Sequence, residues 1–252
     1  MRHCAFLTLD DPTGYVIDDH LAHEPLRALG WRVESLSWRR PAVAWGAYDA
    51  VVIRSTWDYA KDPDAFLDVL ADIERAGTPL FNRLDLVRWN LRKTYLRDLA
   101  ERGVRVVPTV WRDRLRPGEL PELLDELGVA EAVVKPVVGA NAGGAYRLDR
   151  RAVREQAEVI EAYYADRALM AQPFVPAVTA EGEFSLFYFN GVHSHTVLKT
   201  PKAADFRVQE EHGGLIRPVP ADDALRAAGD AALGAIGVSL HDALPIYRKS
   251  VV

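Results

Sequence analysis

The chain has 252 residues, of which 49% are hydrophobic and 27% are charged. This composition is typical of a globular protein with one large or two small domains, and it excludes a disordered, collagen-like or coiled-coil chain. The formal charge of −5 argues against a general binder of nucleic acid or of acidic membranes.

Cys4 is the only cysteine, so no internal disulfide can form. The uninterrupted apolar runs are too short for a signal peptide or a membrane-spanning helix. These features predict a cytoplasmic protein in which Cys4, inside the first strand, is an inert buried thiol.

The first eighty residues alternate between strand and helix patterns. Predicted strands cover residues 4–9, 31–36, 48–54 and the surroundings of Leu80, and predicted helices run from Asp18 or Asp19 to Leu29 and over residues 63–76. This order predicts a small parallel sheet with helices on its faces.

One long helix is predicted next, from its cap at Asn82 to Gly103. Lys93 shares an apolar stripe of this helix with residues such as Trp89 and Leu96. A lysine in that position needs either a route along which its chain reaches solvent or an anionic partner. Both interpretations remain open at this point.

A new unit follows, with an alternation that is richer in strands. Strands are predicted over residues 104–111, 132–138, 145–148 and 169–175, helices over 121–127, 149–164 and 222–236, and a hairpin over 184–199 that turns at Asn190–Gly191. The apolar face of the 149–164 helix comprises Val153, Ala157, Ile160 and Tyr164.

Lys135 lies in the apolar stretch EAVVKPVVG and is followed directly by a proline. Such a lysine indicates either that the strand lies at the edge of a sheet or that the ammonium group binds a partner of opposite charge. The following loop, GANAGG at residues 139–144, offers backbone N–H groups that can approach an anion, although a turn between two strands is an ordinary place for glycine.

Further polar residues come later in the chain: Glu183, Lys199, Arg207 and Gln209. The stretch HSHTVLK places His193 and His195 on one face of a strand together with Lys199. Two histidines at this spacing can bind zinc, but no third ligand is suitably spaced, so hydrogen-bonded or solvated histidines are the favoured interpretation.

In this order, the motifs resemble those of the ATP-grasp superfamily. The stretch NRLDLVRWNLRKTYLRDLAERGVRVVPT resembles the first helix of that fold, VVKPVVGANAGG its second lysine and phosphate loop, AQPFV its adenine-binding strand and GEFSL its ribose-binding segment. The preceding YDAVVIRSTWDY is similar to the N-terminal domain of the branch with glutathione synthetase-like and ureidoserine cyclo-ligases.

The resemblance implies an α/β (α+β) protein in which a small parallel βαβ domain precedes an incomplete ATP-grasp fold. The implied parts are an N-terminal substrate domain at 1–80, the first helix and small ATP-binding lobe at 81–175, and a partial C-terminal lobe at 176–238. Residues 239–252 are interpreted as an artefactual tail, because Ser239–Ile246 matches the translation of a common sequencing adapter.

The resemblance also implies ATP and Mg²⁺ as cofactors, small-molecule carboxylate and amine substrates, and an acyl-phosphate intermediate. The nucleotide would be held by Lys93, Lys135, Gly143, Gly144, Gln172, Phe174, Val175 and Glu183. Lys199 and Arg207 would face the γ-phosphate. Thr56, Trp57 and Asp58 follow a parallel strand, where α/β sheets bind ligands, and are candidate substrate contacts. Packing alone is the alternative role for Trp57.

One part of the family pattern is missing, namely the late acidic strands that hold magnesium. Nothing after Gly237 supplies their Asp and Glu-x-Asn ligands. We therefore expect this chain to be an inactive, C-terminally truncated ligase, with an ATP-binding module without catalysis as the alternative. A dinucleotide-binding Rossmann protein is disfavoured, because no G-x-G-x-x-G follows the first strand.

Overall fold

A computed structural model describes residues 1–203 and 205–236. The expected tail, and the region in which the acidic strands were sought, lie outside the described residues. The contacts divide the described chain into two compact units, which comprise 1–91 with 187–194 and 92–186 with 195–236. This boundary falls about ten residues after the one that the sequence predicts, and the predicted division into lobes stays a prediction.

The first unit is built on the predicted parallel sheet. Its strands are β1 (Arg2–Thr8), β2 (Trp31–Ser37), β3 (Ala50–Ser55) and β4 (Leu80–Phe81), and its helices are α1 (His23–Ala28), α2 (Pro63–Arg75) and α3 (Leu84–Leu91). The strand order is β2-β1-β3-β4. All three neighbouring pairs are parallel, and Cys4 of β1 pairs with Val33 and with Ala50.

Local sequence signals explain where α2 begins and what it buries. The Asp62 carboxylate accepts a hydrogen bond from the Ala65 N–H, which satisfies a donor in the first turn. Buried Phe66, Leu70 and Ile73 then follow at helical spacing.

Cys4 is 5% exposed, and burial raises the pKa of its thiol to about 11. Because the thiolate is the reactive form, the structure agrees with an inert thiol at this position.

The remaining elements belong mainly to the second unit. The helices are α4 (Tyr95–Glu101), α5 (Leu120–Leu127), α6 (Arg150–Tyr163), α7 (Ala177–Ala180) and α8 (Asp223–Gly234), and the strands are β5 (Val110–Arg112), β6 (Ala132–Pro136), β7 (Tyr146–Leu148), β8 (Leu169–Pro173), β9 (Glu183–Phe189), β10 (Val192–Thr200) and β11 (Leu215–Val219). One sheet is antiparallel with the order β5-β8-β6-β7. The other has the order β11-β10-β9, so the fold is the mixed α/β class that the sequence predicts.

The core of the second unit lies where α5 and α6 pack against the four-stranded sheet. The Asp149 side chain caps α6 by accepting from the Ala152 N–H, and Val153, Ile160 and Tyr164 are buried as predicted. The buried Glu161 carboxylate accepts hydrogen bonds of 2.9 Å from the N–H groups of residues 118 and 120 at the start of α5. It thereby satisfies donors that the helix itself leaves open.

The prediction of one helix from Asn82 to Gly103 was wrong. Helix α3 ends at Leu91, and α4 begins only at Tyr95. In the interruption, the Lys93 N–H donates to the Val137 carbonyl at 2.9 Å, so a contact distant in sequence replaces the bond that a continuous helix would make. Lys93 is therefore not part of an uninterrupted apolar stripe.

Among the helices of the described residues, none is both long enough and apolar enough to cross a membrane.

Candidate functional site

A cavity of about 200 Å³ lies within the second unit. Eight of the ten predicted nucleotide and catalytic residues line it: Lys93, Lys135, Gly143, Gln172, Phe174, Val175, Glu183 and Arg207. Gly144 and Lys199 are not among its lining residues. The motifs lie far apart in sequence, so their convergence on one cavity is a property of the fold.

The two predicted lysines reach the cavity from different elements. The Lys93 Nζ donates to the Gly139 carbonyl at 2.8 Å. Lys135 belongs to β6, and both residues are half-buried. Two ammonium groups on one small cavity form a site suited to an anion.

The surroundings of Lys135 also account for the proline that follows it. Strand β6 lies between β8 and β7, but its pairing with β7 ends at Val134. Lys135 and Pro136 continue only along β8, so Pro136 stands where one side of the strand has no ladder partner. The edge-strand interpretation thus holds for these two residues but not for the rest of β6.

The glycine loop, residues 139–144, connects β6 to β7 with an unusual backbone. Asn141, Ala142 and Gly144 have φ values of 52°, 55° and 69°, in the left-handed region. The Gly143 N–H donates to the Ala140 carbonyl at 3.0 Å. Such turns make concavities in which backbone N–H groups can face an anion.

Three side chains hold carbonyl groups of this glycine loop. Lys93 binds Gly139, the Tyr164 hydroxyl donates to Gly144, and the His212 Nε2 lies 3.2 Å from the Asn141 oxygen. These contacts occupy acceptors of the loop and hold it in place, while one of its own donors, the Gly143 N–H, is used within the loop by the Ala140 carbonyl. Gly144 is also tightly enclosed, because a Cβ at this position would lie 2.4 Å from the Tyr163 hydroxyl oxygen.

The end of β8 forms another wall of the cavity. Gln172 is 8% exposed, and its Nε2 donates to the Thr109 Oγ1 at 2.9 Å. The Phe174 N–H donates to the Glu131 carbonyl at 3.0 Å and is therefore not available to a base. The Arg147 guanidinium stacks 3.7 Å from the centre of the Phe174 ring, which holds that side chain in place.

Arg207 lines the cavity, and Lys199 lies deeper in the protein. The Arg207 Nη2 contacts the Asp205 Oδ2 at 2.7 Å, and this hydrogen-bonded pair lowers the pKa of the Asp205 carboxyl and raises the pKa of Arg207. Lys199 is 2% exposed in β10, where it pairs with Ile216 of β11.

The three predicted substrate residues belong to the first unit and follow the carboxyl end of β3. Thr56 and Asp58 are buried, and Trp57 is half-buried with its ring 5.4 Å from that of Tyr15. The Asp58 carboxylate accepts from the Trp38 indole N–H at 2.6 Å and contacts the Arg39 Nε at 3.4 Å. Asp58 therefore holds the chain after β2 against the chain after β3.

The described residues contain no group of three or more His, Cys, Asp or Glu side chains that could hold a metal ion. In this part of the chain, His193 and His195 therefore have no third His, Cys, Asp or Glu side chain with which to bind zinc. Magnesium, which the family resemblance implies, likewise finds no such ligand set in the described part of the chain.

Several contributors to the site escaped prediction from sequence. Thr109 and His212 act through single contacts with distant residues, and no local pattern marks them. Tyr164 was predicted as a core residue, but its contact with Gly144 was not.

Comparisons with known proteins agree with the motifs. A family model described as the N-terminal domain of the D-cycloserine synthetase DcsG matches residues 4–82. The cycloserine biosynthesis protein DcsG of Streptomyces lavendulae is 32% identical over 231 residues, which cover 88% of this chain and 76% of that protein.

Solved structures show the same relationship. The crystal structure of D-cycloserine synthetase DcsG is similar with 31% identity and a TM-score of 0.76, over 92% of this chain and 80% of that one. D-alanine–D-alanine ligase from Bacillus anthracis is 13% identical with a TM-score of 0.67, over 93% and 78%. The ATP-grasp ligase PsnB, in complex with a minimal precursor, is 19% identical with a TM-score of 0.58, over 94% and 83%. The last two likenesses concern the fold alone.

Proposed function

Since this chain belongs to the ATP-grasp superfamily and is related to D-cycloserine synthetase, we propose that it is an ATP-dependent ligase that joins a carboxylate to an amine or similar nucleophile. The observation that carries this proposal is the cavity of the second unit, where both lysines, the glycine loop and the end of β8 meet. These are the kinds of groups that hold and orient a nucleoside triphosphate.

The phosphates are assigned to the positively charged wall of the cavity. Lys93 and Lys135 bind α- and β-phosphate oxygens, and the loop residues Gly143 and Gly144 close over them. Binding would replace the contact of Lys93 with the Gly139 carbonyl by a contact with an anion, which is the stronger partner for an ammonium group.

The base and the sugar are assigned to the end of β8 and to Glu183. The Gln172 side chain, the Phe174 carbonyl and the Val175 N–H read the adenine edge, because the Phe174 N–H already serves the Glu131 carbonyl. Glu183 lines the same cavity and accepts hydrogen bonds from the ribose hydroxyls.

The proposed reaction has two steps. A substrate carboxylate oxygen attacks the γ-phosphorus and ADP leaves, which gives an acyl-phosphate; the nucleophile then attacks the acyl carbon and inorganic phosphate leaves. Arg207 and Lys199 stabilise the transferred phosphoryl group, for which Arg207 must share or leave its contact with Asp205. Thr56, Trp57 and Asp58 are proposed to position the substrate.

The test is ADP formation by the purified chain with ATP and a panel of carboxylates and amines that starts from ureidoserine. The proposal expects ADP release that requires the carboxylate and a coupled product detected by mass spectrometry. Saturable ATP binding without any ADP or product would instead support the binding module without catalysis. Failure to bind ATP at all would overturn both.

We also predict that the site prefers ATP to GTP. Adenine presents a donor at N6 and an acceptor at N1, whereas guanine presents an acceptor and a donor at the matching positions. Guanine would leave buried groups without partners at a cost of about 1–3 kcal/mol each, so ATP should compete at least about tenfold better. Competition against a fluorescent ATP analogue measures this ratio, and equal competition would show that the end of β8 does not read the base.

A further inference from the structure

Thr109 lies behind the cavity wall and contacts two residues that line the cavity, Val107 and Gln172. It directly precedes β5 and is half-buried, and it is not among the residues that line the cavity. Its Oγ1 lies 2.8 Å from the Val107 carbonyl oxygen and 2.9 Å from the Gln172 Nε2. Gln172 itself does line the cavity.

The two distances determine where the Thr109 proton lies. Two oxygens at 2.8 Å need a hydrogen between them, and a carbonyl supplies none, so the Thr109 hydroxyl must donate to Val107. A hydroxyl carries a single proton, and toward Gln172 the Oγ1 can therefore only accept.

This arrangement fixes the amide of Gln172 in one orientation. The NH₂ group must face Thr109, because a turned amide would bring two acceptors together at 2.9 Å. The carbonyl Oε1 is then the other end of the amide. Among the described residues, no group donates to it.

We propose that Thr109 is a positioning residue that sets the base preference of the nucleotide site by presenting the Gln172 carbonyl as an acceptor. The amine at position 6 of adenine matches that acceptor, whereas a purine with a 6-keto group presents a second acceptor and is rejected. This inference rests on the proposed function, because it requires a nucleotide in the cavity.

The substitution Thr109→Val keeps the shape of the side chain and removes its hydroxyl. The Gln172 amide then has no partner that distinguishes its two ends, so it can turn its NH₂ group toward a 6-keto base. Selectivity from the Phe174 carbonyl and the Val175 N–H remains, and the preference for ATP should therefore shrink without disappearing.

The experiment compares ATP with inosine triphosphate, which differs from ATP in the ring groups at positions 6 and 1. Dissociation constants for both nucleotides are measured by competition for wild type, Thr109→Val and Thr109→Ser, and thermal unfolding is recorded for each. We expect the ATP preference to fall at least about fivefold in Thr109→Val and to be retained in Thr109→Ser, which keeps the hydroxyl.

The outcomes separate the inference from the function on which it rests. Equal weakening of both nucleotides in Thr109→Val, or an unchanged ratio, would assign Thr109 a purely structural role and overturn the inference while leaving the ATP site intact. Absence of ATP binding by the wild type would overturn the proposed function and the inference together.

Discussion

Replacing Lys135 by alanine is expected to weaken ATP binding by about 1.5–3 kcal/mol, or roughly ten- to 150-fold. Lys135 carries one of the two ammonium groups on the cavity and is held on the rigid strand β6, so its charge is placed before the nucleotide arrives. The measurement is titration with a fluorescent ATP analogue, with circular dichroism to confirm that the fold is retained.

Lys202→Ala is the matched control for this experiment. Lys202 is an exposed lysine of the same unit and does not line the cavity, so its loss changes the net charge by the same amount without touching the site. Unchanged ATP affinity in a folded Lys135→Ala variant, or equal losses in the two variants, would show that Lys135 does not bind the phosphates.

Features specified by neighbouring residues were predictable from the sequence. Asp149 accepts a hydrogen bond three residues along the chain and begins α6 where expected. The turn at Asn190–Gly191 joins β9 and β10 with positive φ values of 48° and 79°, as its two residues require. In each case the residues that determine the feature lie within a few positions of one another in the sequence.

Features that depend on distant contacts were not predictable. The break between α3 and α4 arises at Lys93. Its main-chain N–H donates to the Val137 carbonyl, and its side chain donates to the carbonyl of Gly139, 46 positions away. The partners Thr109 and Gln172 are 63 positions apart. No periodicity or capping rule contains such pairs, whereas the order of motifs did identify which segments would meet.

The glycine loop at residues 139–144 is held in shape by residues that lie outside it. The residues of GANAGG indicated an anion-binding turn, but the sequence did not show what keeps the turn in shape. The structure supplies that part through the Tyr164 hydroxyl, which binds the Gly144 carbonyl, and through the Tyr163 ring, which fills the space beside Gly144. The last turn of α6 and the residue after it thus hold the glycine loop in place beside the cavity that Lys93 and Lys135 line.

The second large effect is expected for Gly144→Ala. Its φ of 69° costs an alanine about 1–2 kcal/mol. The new Cβ would also overlap the hydroxyl oxygen and two ring carbons of Tyr163, which adds roughly 1–3 kcal/mol unless that side chain or the loop moves. We expect a lower free energy of unfolding in denaturant titrations and at least about tenfold weaker ATP binding, because a displacement of the loop by even one ångström misplaces its N–H groups.

Gly128→Ala separates backbone strain from the enclosure of Gly144. Gly128 ends α5 with a φ of 66°, and nothing lies within 4 Å of the position that its Cβ would occupy. The Gly128→Ala variant should therefore lose only about 1–2 kcal/mol of its free energy of unfolding, from backbone strain alone, and its ATP affinity should be unchanged. If the two variants lose the same stability and neither loses affinity, the contact with Tyr163 does not hold the glycine loop, and the loop's position is set elsewhere.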